Sequence, residues 1–153
     1  MNTPASLDAL KLLQNRAQQE RDRAASELRQ SEDRLQRTRL MAGQLGDYRL
    51  EYMQRWSTRF GRGGAIEIVH CYQSFMQRLE EALAQQQQQV EAGERGVALA
   101  RQRLLQAELR AASVTKLIER REAELRRVRH RREQRQDDEI AQHLALRRSA
   151  MHS

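Results

Sequence analysis

Stepping by seven from Met76 lands on Leu83, Val90, Val97, Leu104, Ala111, Ile118 and Leu125, an unbroken apolar series. No other feature narrows the possible folds as far. An apolar repeat of seven keeps one narrow face of a helix against a partner helix and implies a left-handed supercoil. The companion positions of the same face are Tyr72, Leu79, Gln86, Gly93, Ala100, Ala107, Val114, Arg121 and Val128. Gly93 and Gly96 sit inside the repeat. Each costs about 0.5–1 kcal/mol against Ala in a helix interior, so they mark a soft spot, a bend or a tolerated loss.

Such a helix needs a partner, and the first half of the chain supplies a weaker one. Leu7, Leu28, Leu35 and Ala42 fall on one seam position, and Leu10, Ala17, Ala24, Leu45 and Tyr52 on the other. Gln14, Arg21, Ser31 and Thr38 interrupt the stripe. Thr3 and Pro4 would make a good helix start, a capping hydroxyl followed by a residue that needs no N–H partner. Between the two stripes lies "RFGRGGAIEI", residues 59–68, with Gly61, Gly63 and Gly64. A short Gly-containing link makes its two helices antiparallel neighbours. The expected fold is all-α: a long antiparallel two-helix coiled-coil hairpin in a single domain. Helix 1 spans about 4–59, the hairpin turn about 60–65 and helix 2 about 66–148. Facing residues then have numbers that sum to roughly 125, which sets Leu45 near Leu83, Leu28 near Ala100, Ala24 near Leu104 and Leu10 near Ile118. With 39% hydrophobic, 4% aromatic and 32% charged residues, the chain can fill a narrow seam and no wide core. Its single proline and its wealth of Ala, Leu, Glu, Gln and Arg argue against disorder.

In this register helix 1 is exhausted near residue 120 of helix 2. Residues 120–148 are left unpaired and project ~40 Å as a basic C-terminal helix. They contain "RREAELRRVRHRREQR", residues 120–135, whose eight Arg and three Glu carry most of the chain's net charge of +7. The block suits an acidic partner, and a solvated helix face is its plain alternative. It lacks aromatics to stack on bases, and a basic-region zipper would place its Arg block before the heptads, so no nucleic acid is expected as partner.

Other motifs carry little chemistry. The glycine turn is followed by Ala65 and Ile66 where a phosphate loop needs Lys and Ser or Thr. His70, His130, His143 and His152 are scattered, and Cys71 has no second cysteine, so no metal or cofactor is expected. His70 and Cys71 are adjacent and point about 100° apart on a helix, which is no nucleophile–base pair. A two-helix stalk has no pocket in which to shift a pKa, so an enzyme is not expected. "QQQQQ", residues 85–89, keeps the heptad between Leu83 and Val90 and reads as exposed coil. No apolar run approaches the ~20 residues of a membrane span. The first residues lack the basic start and apolar stretch of a signal peptide, so a cytoplasmic protein is expected.

One stripe exceeds what the seam requires. In "YQSFMQRLEEAL", residues 72–83, Phe75, Leu79 and Ala82 share a straight line with Gln86. This is either wider packing near the turn or a docking face for a partner.

Together these residues resemble the FliJ family of the flagellar type III export apparatus. The resemblance rests on the length, "DYRLEY" at 47–52, the Gly-rich turn, "YQSFMQRLEEAL", and "RREQRQDDEIAQ" at 131–142. The last is similar to the family's basic–Glu-Gln–basic–x–x–Asp-Glu signature, with Arg135 where Lys is frequent. Injectisome stalk proteins of the YscO type are the nearest alternative, and a basic coiled-coil scaffold or a nucleic-acid-binding coiled coil are the alternatives from other classes. The resemblance implies a non-catalytic coiled-coil stalk, similar to the central stalk of rotary ATP synthases. It implies the hexameric export ATPase FliI and the export gate FlhA as partners, with FliH and export chaperones as further ones. The location implied is the cytoplasmic face of the inner membrane, reached through these partners. In a studied member the gate contact is a stripe that falls on Phe75, Leu79, Ala82 and Gln86, with His where this chain has Gln86. For the basic helix, Arg120, Arg121, Arg126, Arg127, Arg131 and Arg132 are the candidates to meet acidic residues of the ATPase ring. That assignment follows from charge placement together with the family's role.

Overall fold

The computed structural model describes residues 6–152. They form two α-helices and, among the described residues, no strand: α1 over Leu7–Phe60 and α2 over Ile66–Met151. Both helices contribute to each of two compact units, Met1–Glu20 with Ala107–Ser153, and Arg21–Gln106. The fold is an all-α hairpin. The expected start at Thr3 and Pro4 lies outside the described residues. Within them Ser6 caps α1, its Oγ accepting from the Ala9 N–H at 3.2 Å.

The turn is built by the glycines. The Gly61 N–H donates to Ser57 O and the Gly63 N–H to Phe60 O, closing the last carbonyls of α1. Gly63 has φ +85°, the left-handed conformation that a side chain resists. Ala65 O then accepts from the Ile68 and Val69 N–H groups and opens α2.

In the Arg21–Gln106 unit, Ala24, Leu35, Met76, Leu79, Val90, Val97 and Ala100 are buried. Leu35, Val90 and Val97 form one cluster, with Leu28 and Ala42 packed on it. Arg39–Glu94 and Arg49–Glu80, each at 3.1 Å, cross the seam at its edges. α2 runs unbroken through Gly93 and Gly96. Gly93 is there for packing: a Cβ on it would stand 3.0 Å from Leu35 Cδ1. In the other unit the buried residues are Leu10, Ala17, Ala107, Ala111 and Ile118. Every one of these belongs to the heptad positions read from the sequence. Among the described residues no side chain is completely sequestered, as expected of a seam rather than a core.

Two of the polar interruptions, Gln14 and Thr38, find partners across the seam. Gln14 Nε2 donates to Thr115 Oγ1 at 3.3 Å. Thr38 Oγ1 donates back to Arg34 O at 2.8 Å, and Thr38 O accepts from Gln86 Nε2 at 3.2 Å. Polar groups matched across a seam penalise register slips, because a slip leaves them unpaired. The facing pairs Gln14–Thr115, Leu35–Gly93, Arg49–Glu80 and Tyr52–Phe75 have numbers summing to 127–129. The seam is thus shifted by two to four from the sum of roughly 125. It agrees with the four facing pairs expected from the sequence.

Candidate functional site

Three features carry the functional question: the stripe on α2 near the turn, the aromatic residues around it, and the basic end of α2.

The stripe is partly spent on the hairpin itself. Leu79 is buried at 7% exposure, and its neighbour Met76 is equally covered. Phe75 is half-buried, its ring 4.3 Å from the Tyr52 ring and 6.3 Å from Tyr48, centroid to centroid. Ala82 and Gln86 are half-buried, and Gln86 holds Thr38 O. Phe75 and Ala82 present an edge to solvent. Leu79 supports that edge from beneath.

Around Phe75 lies a cluster that the heptad reading missed. Tyr48, Tyr52, Trp56 and Phe60 of α1 meet Tyr72 and Phe75 of α2, which takes in all six aromatic residues of the chain. Tyr52 stacks on Tyr72 at 5.9 Å, and Trp56 sits 5.5 Å from Tyr72. Arg59 lies over the Trp56 ring at 5.4 Å. The signal was available: the four α1 aromatics are spaced by four. Tyr52, His70, Cys71, Ser74, Phe75 and Arg78 line a shallow groove of about 490 Å³ beside the stripe. Cys71 is an exposed free thiol. Among the described residues no group of His, Cys, Asp or Glu is arranged to hold a metal ion.

The basic end divides. Arg121 occupies a seam position and is half-buried, one guanidinium nitrogen 3.2 Å from Glu124, while its Nε is buried without a partner. From Glu124 to His152 every residue is exposed. Leu125 and Val128 continue the seam positions at 40% and 43% exposure, with nothing covering them. Arg120, Arg126, Arg127, Arg131 and Arg132 are exposed. The structure therefore sets five of the six candidate guanidinium groups in solvent and ties Arg121 into its own helix. Among the described residues no helix is long and apolar enough to cross a membrane.

The model of a family described as "Flagellar FliJ protein" matches residues 6–150. No curated protein and no solved structure matches the chain. The match takes in both helices, the aromatic-lined turn and the basic end, and the helical hairpin is the fold that the resemblance implied. The chain belongs to the flagellar FliJ family, whose members are components of the flagellar protein export apparatus.

Proposed function

We propose that this protein is a non-catalytic stalk that couples the export ATPase ring to the export gate. The basic end of α2 engages the hexameric ATPase FliI. The Phe75 edge engages the gate protein FlhA, and through these partners the protein sits at the cytoplasmic face of the inner membrane. Contacts with FliH and with export chaperones belong to the same reading.

The observation that carries it is the bare basic helix. A segment exposed from Glu124 to His152 gains nothing from packing in the free chain. Its arginines are free to meet successive acidic sites. Exposed ion pairs contribute only about 0–1 kcal/mol each, so a set of them can form and release as subunits change state. Arg121 stands apart: half-buried and paired with Glu124, it fixes the local helix rather than reaching outward.

For the gate, the burial of Leu79 changes how the stripe must be probed. Removing Leu79 opens the seam and costs about 2–3 kcal/mol of folding stability, so loss of binding by that variant mixes two effects. Ala82, half-buried and outside the aromatic cluster, separates them, whereas Phe75 also packs on Tyr52, so its variant is compared at a temperature below its own melting transition. Phe75→Ala and Ala82→Gln should each weaken gate capture while far-UV circular dichroism stays helical. Capture unchanged in both variants would remove the gate contact from this stripe. For the ring, co-purification of the ATPase with wild type and with a variant carrying Glu at Arg126, Arg127, Arg131 and Arg132 should differ most at low salt. Equal recovery at low salt would rule out the basic helix as the ATPase contact.

A further inference from the structure

Positions that flank a two-helix seam are ordinarily charged. In the unit formed by Met1–Glu20 and Ala107–Ser153, one flank departs from that rule. Leu13 of α1 and Leu117 of α2 occupy flanking positions on the same side, at 50% and 49% exposure. Leu13, Ala17, Leu109, Ser113 and Val114 line a groove of about 520 Å³ there. Leu117 extends its α2 wall one turn beyond Ser113. Leu109 adds a third leucine, 59% exposed. The opposite flank of the same seam is polar, with Lys11, Gln18, Glu108 and Thr115.

The rim of the groove has a sign. Arg16 and Arg110 share a single carboxylate, Glu20, at 3.9 and 3.5 Å. Two guanidinium groups on one carboxylate leave net positive charge, and exposed Arg120 adds to it one turn past Leu117. A second copy of the chain would bring the same positive rim against this one, which like-charge repulsion opposes. An apolar groove with a positive rim is complementary to a helix with an apolar stripe and acidic flanks.

We infer that this groove docks an amphipathic helix of a partner protein, a helix whose apolar stripe is bordered by carboxylates. Its apolar residues at i, i+4 and i+7 lie against Leu13, Leu109, Val114 and Leu117 as a third helix on the seam. Its carboxylates meet Arg16, Arg110 and Arg120. This surface shares Arg120 with the basic end but none of Arg126, Arg127, Arg131, Arg132 or Phe75, so it can fail while the coupling role stands.

The test uses the full chain and two labelled synthetic helices read by fluorescence anisotropy. Both carry leucine at helical spacing; one has Glu at the flanking positions and the other Lys. The Glu helix should bind, and the Lys helix should bind about tenfold more weakly or worse at low salt. Leu13→Ser with Leu117→Ser should weaken the Glu helix by about tenfold or more with helicity retained. If that pair lowers helicity, Leu109→Ser, further from the seam, takes its place with the same expectation. No binding, equal binding of the two helices, or binding indifferent to these substitutions would overturn the inference. So would a dimer, seen by light scattering, that the leucine substitutions abolish, since it would assign the groove to a second copy.

Discussion

At the scale of single residues, glycines separate packing from propensity. Gly93 lies where a methyl group would press on buried Leu35, whereas Gly96 has nothing within 4 Å. Both lie inside α2, so both forgo the helix stabilisation that Ala would bring. Gly96→Ala should therefore stabilise the protein by about 0.5–1 kcal/mol. Gly93→Ala must displace Leu35 to gain the same, and should melt below Gly96→Ala in thermal denaturation. At the turn, Gly63→Ala should destabilise by about 1 kcal/mol or more, because φ +85° is strained for any side chain. Of these roles only the turn was legible in the sequence. Heptad counting put Gly93 in the seam without revealing that Leu35 needs its missing side chain. The Phe75 stripe was legible as a line, and heptad counting already put Leu79 in the seam, where it is buried. What the count left open was how much of Phe75 and Ala82, on the flank of that seam, the hairpin would cover.

The two helices were more readable as elements than their contacts were. A strict repeat of seven from Met76 onward fixed the buried face of α2, because a narrow stripe leaves the helix one orientation. The aromatic cluster escaped the same reasoning. Residues spaced by four turn about 40° further round a helix at each step, so Tyr48, Tyr52, Trp56 and Phe60 cross the seam obliquely instead of following it. Each counts as one odd seam or flank residue until both helices are seen together. Tyr52 is the hub, touching Tyr48, Trp56, Tyr72 and Phe75. Tyr52→Ala should cost about 2 kcal/mol, less than a fully buried aromatic because the cluster is half open to water. The change would appear as a lower midpoint in urea with the slope unchanged. The end of α2 behaves oppositely. Every residue from Glu124 to His152 is exposed, so ending the chain after Val128 should leave the melting transition of the rest nearly unmoved. A large loss of stability would mean that this segment packs on something within the chain.

At the scale of the whole molecule, what matters is the separation between residues that hold the hairpin and residues left over. Seam, turn and aromatic cluster account for the buried residues. The guanidinium groups of Arg126, Arg127, Arg131 and Arg132 account for none of the packing. On the proposed reading, an acidic counterpart on the export ATPase offsets the self-repulsion of this exposed basic helix. The most direct measurement is the rate of ATP hydrolysis by the purified export ATPase with and without this protein. Wild type should raise the rate, and the variant with Glu at Arg126, Arg127, Arg131 and Arg132 should fail to do so while remaining helical and melting as wild type does. Full stimulation by that variant would contradict the account.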